Sequence, residues 1–446
     1  PVLPSAPPPD SQFERNLTEH WLVWLGGITL ALGGAFLVKY SFDQGWLGPS
    51  VRVMLGVLLG LGLIAGGHRM VGRASSATLA GLDPSHVPPA LVGAGSAIIF
   101  ASLYAAFALY HLIGPLTAFA ALVLSASATV LLALRHGRFV ALLGLLGGHA
   151  VPLLVQTGHK DALALFTYLL LLDAGSLVLL RWKAWWGLAW VAVGVSAGWV
   201  MLWLIGAYSS GDELPLGLFL LALFGLTVIL RHGIRQVSWL AEPILAPEVL
   251  RLVMSTGLGV AVLLFLLVSM AEQSTAALAI MFAFCGAVLV VGRWDSDLDR
   301  LPFVAAVLGL LALAGWDLPN RVVSLDMLAP YVPDHAQGFA TTAALLAALF
   351  GGGAFALLWG AARPGRRAAH SAALPVMVLA VVYWRLSSIG IDLAWAAGAL
   401  GLAAVLLLAA ERVSRWRAEP GMETALGAYA VGVLAALALA ATIALE

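Results

Sequence analysis

Apolar stretches of membrane-spanning length recur about fifteen times along this chain, and Lys and Arg gather in every second connection between them. A helix that crosses a hydrocarbon core of roughly 30 Å needs about 20 apolar residues. The 446 residues therefore hold the whole series with short connections and leave no sizeable soluble domain. Spans are expected near 20–38, 51–67, 90–110, 113–134, 138–155, 161–180, 185–206, 214–230, 248–270, 274–292, 301–316, 339–361, 371–387, 390–410 and 422–444. The expected fold class is all-α, a polytopic transmembrane helix bundle of about 15 spans.

Positive charge resists translocation, so the loaded connections mark the cytoplasmic side. With the N-terminus cytoplasmic, that side collects 18 of the 23 Lys and Arg residues, from Arg15, Arg69 and Arg73 through to Arg412, Arg415 and Arg417. Lys39, Arg52, Lys160, Arg321 and Arg385 fall at or near the other side. Reversing or dropping one span destroys the alternation. Tryptophans agree with the scheme: Trp182, Trp185, Trp186, Trp294 and Trp416 lie at the charged ends, and Trp46, Trp203, Trp316 and Trp384 at the opposite ends, where amphipathic rings favour the interface.

Only 10% of the residues are charged and 61% are hydrophobic, against roughly 25% charged in an ordinary soluble domain. The formal charge is zero and the cations are dispersed, which gives no basis for nucleic acid as a partner. The single cysteine, Cys285, excludes an intrachain disulfide. Residues 1–19 read as a Pro-rich linker and pre-membrane segment, and residues 20–446 as the transmembrane helical domain of a longer chain. Two longer connections, 231–250 and 317–338, are candidates for an interfacial segment and a cap over a cavity mouth, or are plain connectors.

Small residues let helix backbones approach. Gly26, Gly27, Gly33 and Gly34 share one face of the first span, and Gly56, Gly60, Gly62 and Gly66 give two small-xxx-small spacings in the second, so the first hairpin is expected to pack tightly. Gly351, Gly352 and Gly353 stand mid-span, either for close packing or as a helix break at a substrate site.

Few residues are able to carry chemistry. Asp173 lies mid-span in Tyr168-Leu-Leu-Leu-Leu-Asp173, where an unpaired carboxylate costs several kcal/mol, so it must face protein or water. It reads equally as a proton or ion relay and as a carboxyl bonded to a neighbouring helix. His149, in Gly147-Gly-His-Ala-Val-Pro152, is its nearest plausible partner in sequence. The hairpin from Lys39 to Arg52, with Asp43 four residues after Lys39, offers either a rigid mouth for an anionic or polyol ligand or an interfacial turn with a local ion pair. Arg385 and Asp392 flank a turn on the same side. Asp295, Asp297 and Asp299 hint at a metal, but a solvated loop fits better because no histidine or ordered ligand spacing accompanies them. No zincin, phosphate-loop, nucleophile-elbow or two-cysteine motif occurs, so no cofactor, metal or soluble-type catalytic residue is expected.

The segments Trp24-Leu-Gly-Gly-Ile-Thr-Leu-Ala-Leu-Gly-Gly-Ala-Phe-Leu-Val-Lys-Tyr-Ser-Phe-Asp-Gln-Gly-Trp-Leu-Gly-Pro-Ser-Val-Arg52, Leu142 to Gly158 and Ala164 to Asp173 resemble those of a large bacterial family of predicted polytopic membrane proteins of unknown function. The resemblance implies a multi-pass protein of the bacterial cytoplasmic (inner) membrane, with a proline-rich linker before the first span and further spans beyond. It carries over no activity and no catalytic residue.

Three functions follow as expectations. Transport or flipping of a polar or envelope-related molecule leads, and it requires a water-accessible cavity reaching Asp173. A scaffold or assembly subunit of an envelope complex, with a protein partner or a second copy, is favoured instead by a solid core there. A membrane enzyme of lipid-linked glycan or envelope assembly needs Lys39, Asp43, Arg52 and Arg385 to converge. Membrane lipids are partners in each case.

Overall fold

In the computed structural model the described residues are 48–71, 87–155, 160–233, 246–316, 334–386 and 392–445, with residue 318 and parts of 25–40. Every regular element among them is helical. The chain divides into two compact units, Pro1–Ser196 and Ala197–Glu446, with the boundary inside one helix.

The first unit holds α1 (Leu25–Gly34), α2 (Pro49–Met70), α3 (Val87–Ala108), α4 (Pro115–His136), α5 (Arg138–Leu154), α6 (Ala162–Lys183) and the first half of α7 (Trp186–Gly206). Prolines open α2 and α4 in the first turn, where a missing N–H costs nothing. Gly137, at φ +97°, ends α4 and begins α5 in a backbone region closed to most side chains. Asp161 caps α6 by accepting from the Ala164 amide at 3.0 Å.

Glycine seams set the packing, and the second span uses them against the third. A Cβ on Gly60 would stand 2.7 Å from the Gly95 carbonyl oxygen, and one on Gly95 would stand 2.5 Å from that of Gly60. The two backbones therefore touch at a spot where any side chain intervenes. Gly62 and Gly66 face open space instead, so only one of the two small-residue spacings forms the seam. Of the first-span glycines, Gly27 approaches Ala90 and Gly34 approaches Ile98 and Leu59, while Gly26 and Gly33 meet nothing.

The second unit continues α7 and adds α8 (Glu213–His232), α9 (Pro247–Met270), α10 (Thr275–Trp294), a 3-10 turn (Ser296–Leu298) and α11 (Leu301–Ala314). It then has α12 (Asp334–Ala348), which passes through a π-helical turn (Leu349–Gly353) into α13 (Ala354–Ala356). Three helices close it: α14 (Pro364–Leu386), α15 (Asp392–Ser414) and α16 (Met422–Leu445). Its apolar core includes Phe219, Leu220, Leu223 and Leu252, all nearly inaccessible, and a second cluster gathers Ala368, Ala372, Leu406 and Tyr429 from α14, α15 and α16.

Among the described residues twelve helices are long and apolar enough to cross a membrane, with Ala336–Ala356 counting as one through its π-turn. Three more apolar helices are shorter over their described residues: α1, α5 with 17 residues and α11 with 14. Each expected span coincides with one of these elements. The protein is an all-α polytopic bundle. Most of the two long connections, at 234–245 and 319–333, lies outside the described residues.

Candidate functional site: a buried His–Asp–Ser cluster

Three helices of the first unit converge on Asp173. The Gly-rich face of α5 allows it: a Cβ on Gly144 would stand 2.8 Å from the Val130 amide nitrogen of α4, and one on Gly148 would stand 3.1 Å from the Leu172 side chain of α6. This proximity sets His149 of α5 beside Asp173 of α6, with His149 Nε2 at 3.3 Å from Asp173 Oδ1. Ser196 of α7 completes the group. Its hydroxyl donates to Asp173 Oδ2 at 2.6 Å, and its oxygen lies 3.1 Å from His149 Nε2. Asp173 and Ser196 are 0% exposed and His149 is 2% exposed.

His149 Nδ1 lies 2.9 Å from the Leu145 carbonyl, which only accepts, so Nδ1 carries a proton. The one Ser196 proton is committed to Asp173. His149 Nε2 faces both Ser196 Oγ and Asp173 Oδ1, and that buried carboxyl oxygen has no hydrogen-bond partner among the described residues. The Ser196 hydroxyl and the imidazole beside it are what let an ionisable group reside in an apolar bundle.

Tyr168 lies one and a half turns before Asp173 on α6 and does different work. Pro152, inside α5, has no N–H for the carbonyl four residues earlier, that of Gly148. The Tyr168 hydroxyl donates to that carbonyl at 2.7 Å.

In the second unit a side chain likewise reaches a backbone carbonyl of a neighbouring helix. At Gly351, Gly352 and Gly353 the helix is not broken; it widens into the π-turn, where the Gly351 carbonyl already accepts from the Ala354 amide. Ser371 of α14 donates to the Gly351 carbonyl at 2.6 Å, and Tyr429 of α16 donates to Ser371 at 2.8 Å. A Cβ on Gly351 would stand 3.0 Å from the Pro375 ring, so the π-turn faces the proline-containing stretch of α14.

Asp295, Asp297 and Asp299 are not a solvated loop. Arg231, 1% exposed at the end of α8, donates through Nε to Asp295 at 2.5 Å and through Nη2 to Asp297 at 3.0 Å. Arg363 and Arg366 both pair with Asp299. Burial raises the Asp295 carboxyl's affinity for a proton, but the Arg231 and Asp297 hydrogen bonds and the Arg231 charge outweigh it and hold its pKa below 3.8. These carboxylates join helix ends, and among the described residues no group of three His, Cys, Asp or Glu is placed to hold a metal ion.

The remaining expected site residues are not gathered into one place. Lys39 and Asp43 lie outside the described residues, as does the side chain of Asp392, whose backbone opens α15. Arg52 is buried near the start of α2 in the first unit. Arg385, in the second unit, donates to the Trp316 carbonyl and lies 5.6 Å over the Trp384 ring. Sequence reasoning missed Ser196, Ser371, Tyr429 and Arg231. For Ser196 a signal existed, since Gly194, Ala197 and Gly198 surround it and small residues mark close helix contacts.

Residues 18–446 match the family described as "Predicted membrane protein (DUF2339)". No curated protein and no solved structure matches the chain.

Proposed function

The chain belongs to the DUF2339 family of predicted membrane proteins, and on that premise we propose that it is a scaffold or assembly subunit of an envelope complex in the bacterial cytoplasmic membrane. The observation that supports this reading is the enclosure of Asp173, which is 0% exposed and engaged by Ser196 and His149. The cavities described in the first unit, along α1 to α3 and where α5 meets the turn between α6 and α7, are lined by other residues. Tyr168 and Ser371 are likewise committed to backbone carbonyls, so these groups hold helices together instead of facing a cargo. The distribution of Lys and Arg supports a cytoplasmic N-terminus in this reading.

Transport is the second reading, and the 3.3 Å approach of His149 to Asp173 favours it, since ionisable groups at membrane depth commonly serve proton relays. The enzyme reading gains no support among the described residues. Full-length protein in proteoliposomes, assayed for proton entry with an internal pH dye and for scrambling of a fluorescent phospholipid, separates the first two. A scaffold gives neither flux, and in native membranes it migrates as an assembly larger than one chain. Flux that is lost in Asp173→Asn overturns the scaffold and establishes transport.

A further inference from the structure

At the end of the first unit where α4 and α6 finish, cations gather. Arg135 closes α4, Arg138 opens α5, and Arg181 and Lys183 close α6. His68 of α2 belongs to the same end, because it bonds His136 at 3.3 Å and receives Arg135 at 3.2 Å. The described acids of this unit are Asp161, which caps the opposite end of α6, and Asp173, at mid-helix. In the second unit, by contrast, Arg231, Arg363 and Arg366 each have a carboxylate.

A recess of about 420 Å³ opens at this end. Arg138 stands at its edge, exposed and with no hydrogen-bonding or ionic partner among the described residues. The half-buried rings of Trp185 and Trp186 line it beside Gly187, and Phe139 and Leu142 form an apolar wall. The first turns of α5 and α7 both border it; the Leu188 amide of α7 donates to the Trp185 carbonyl at 2.9 Å, and the amides at the very start of each helix have no acceptor within their own helix. Gly137, before α5, supplies no side-chain cap.

We propose that this recess binds the phosphodiester headgroup of an anionic phospholipid. Arg138, together with the leading amides of α5 and α7, meets the phosphate oxygens. The indoles sit at headgroup depth, and the Phe139 and Leu142 wall receives the upper acyl chain. The charge of Arg138, which has no ionic partner among the described residues, selects an anionic over a zwitterionic lipid, and the apolar wall selects a lipid over free phosphate.

The test uses the full chain in neutral detergent with an equimolar mixture of phosphatidylglycerol and phosphatidylcholine, counting retained lipids by native mass spectrometry. Wild type retains phosphatidylglycerol preferentially, Arg138→Lys keeps most of that preference, and Arg138→Gln lowers it roughly tenfold. Gly187 has open space where a Cβ would project, so Gly187→Leu keeps the helix, fills the recess and lowers retention as well. Equal retention of the two lipids by wild type overturns the proposal, as does a preference that Arg138→Gln and Gly187→Leu leave unchanged. Displacement of phosphatidylglycerol by excess inorganic phosphate alone also overturns it, because the ligand is then a free anion.

Discussion

The Tyr168 hydroxyl donates to the Gly148 carbonyl at 2.7 Å, the carbonyl that Pro152 leaves without its helical partner. A defect in α5 is thus repaired from α6. Tyr168→Phe leaves the carbonyl without this donor in an apolar bundle and is expected to cost about 1–2 kcal/mol. Pro152→Ala restores the N–H, so the double variant loses less than the sum of the singles. A double-mutant cycle on thermal or denaturant unfolding in detergent checks this; strict additivity contradicts the repair.

The enclosed cluster predicts an order among substitutions at Asp173. Asn keeps an acceptor for Ser196 and gains a donor for imidazole Nε2, so Asp173→Asn is expected to cost less than about 1.5 kcal/mol. Asp173→Ala opens a void and strands both partners, and is expected to cost about 3–5 kcal/mol. Unfolding midpoints of the two variants decide it, and equal losses contradict the hydrogen-bond assignment.

Arg231 predicts a pH response outside the spans. The folded pKa of Asp295 lies below the ordinary 3.8, so its pairing contributes fully above that value and is lost as pH falls through the folded pKa. Stability contributed by this pair is therefore flat from neutral pH down to about 5 and declines below about 4. Arg231→Met removes that acid-dependent part and, by leaving Asp295 buried without its main partner, lowers stability at neutral pH by about 3–5 kcal/mol. Denaturation curves of both proteins from pH 7 to 3 test the slope.

The α2–α3 seam predicts opposite outcomes for two nearby glycines. A Cβ at Gly60 would lie 2.5 Å from Ile99 and 2.7 Å from the Gly95 carbonyl oxygen, whereas Gly62 has nothing within 4 Å. Gly60→Ala is expected to cost about 1–3 kcal/mol through backbone displacement. Gly62→Ala is expected to be neutral or to stabilise by up to about 1 kcal/mol through helix propensity. Melting temperatures in the same detergent compare them directly.

Hydropathy is a local property, and it was enough by itself to determine an all-α polytopic protein and the position of each apolar helix, from Leu25–Gly34 to Met422–Leu445. A segment that is apolar all round has to be helical in lipid, since no water is there to satisfy its backbone. The pairing of His149 with Asp173 was also in reach, because adjacent helices carry them. The small residues around Ser196 marked a close helix contact but not which helix it meets, and nothing marked the bond from Tyr429 to Ser371, which spans 58 positions. The three glycines signalled an irregular helix, but whether it would break or widen depended on Pro375 and Ser371 facing it from α14. Such meetings depend on how far each helix is rotated about its axis and which neighbour it faces. Close packing of side chains between helices sets that rotation, so only the tertiary structure decides it.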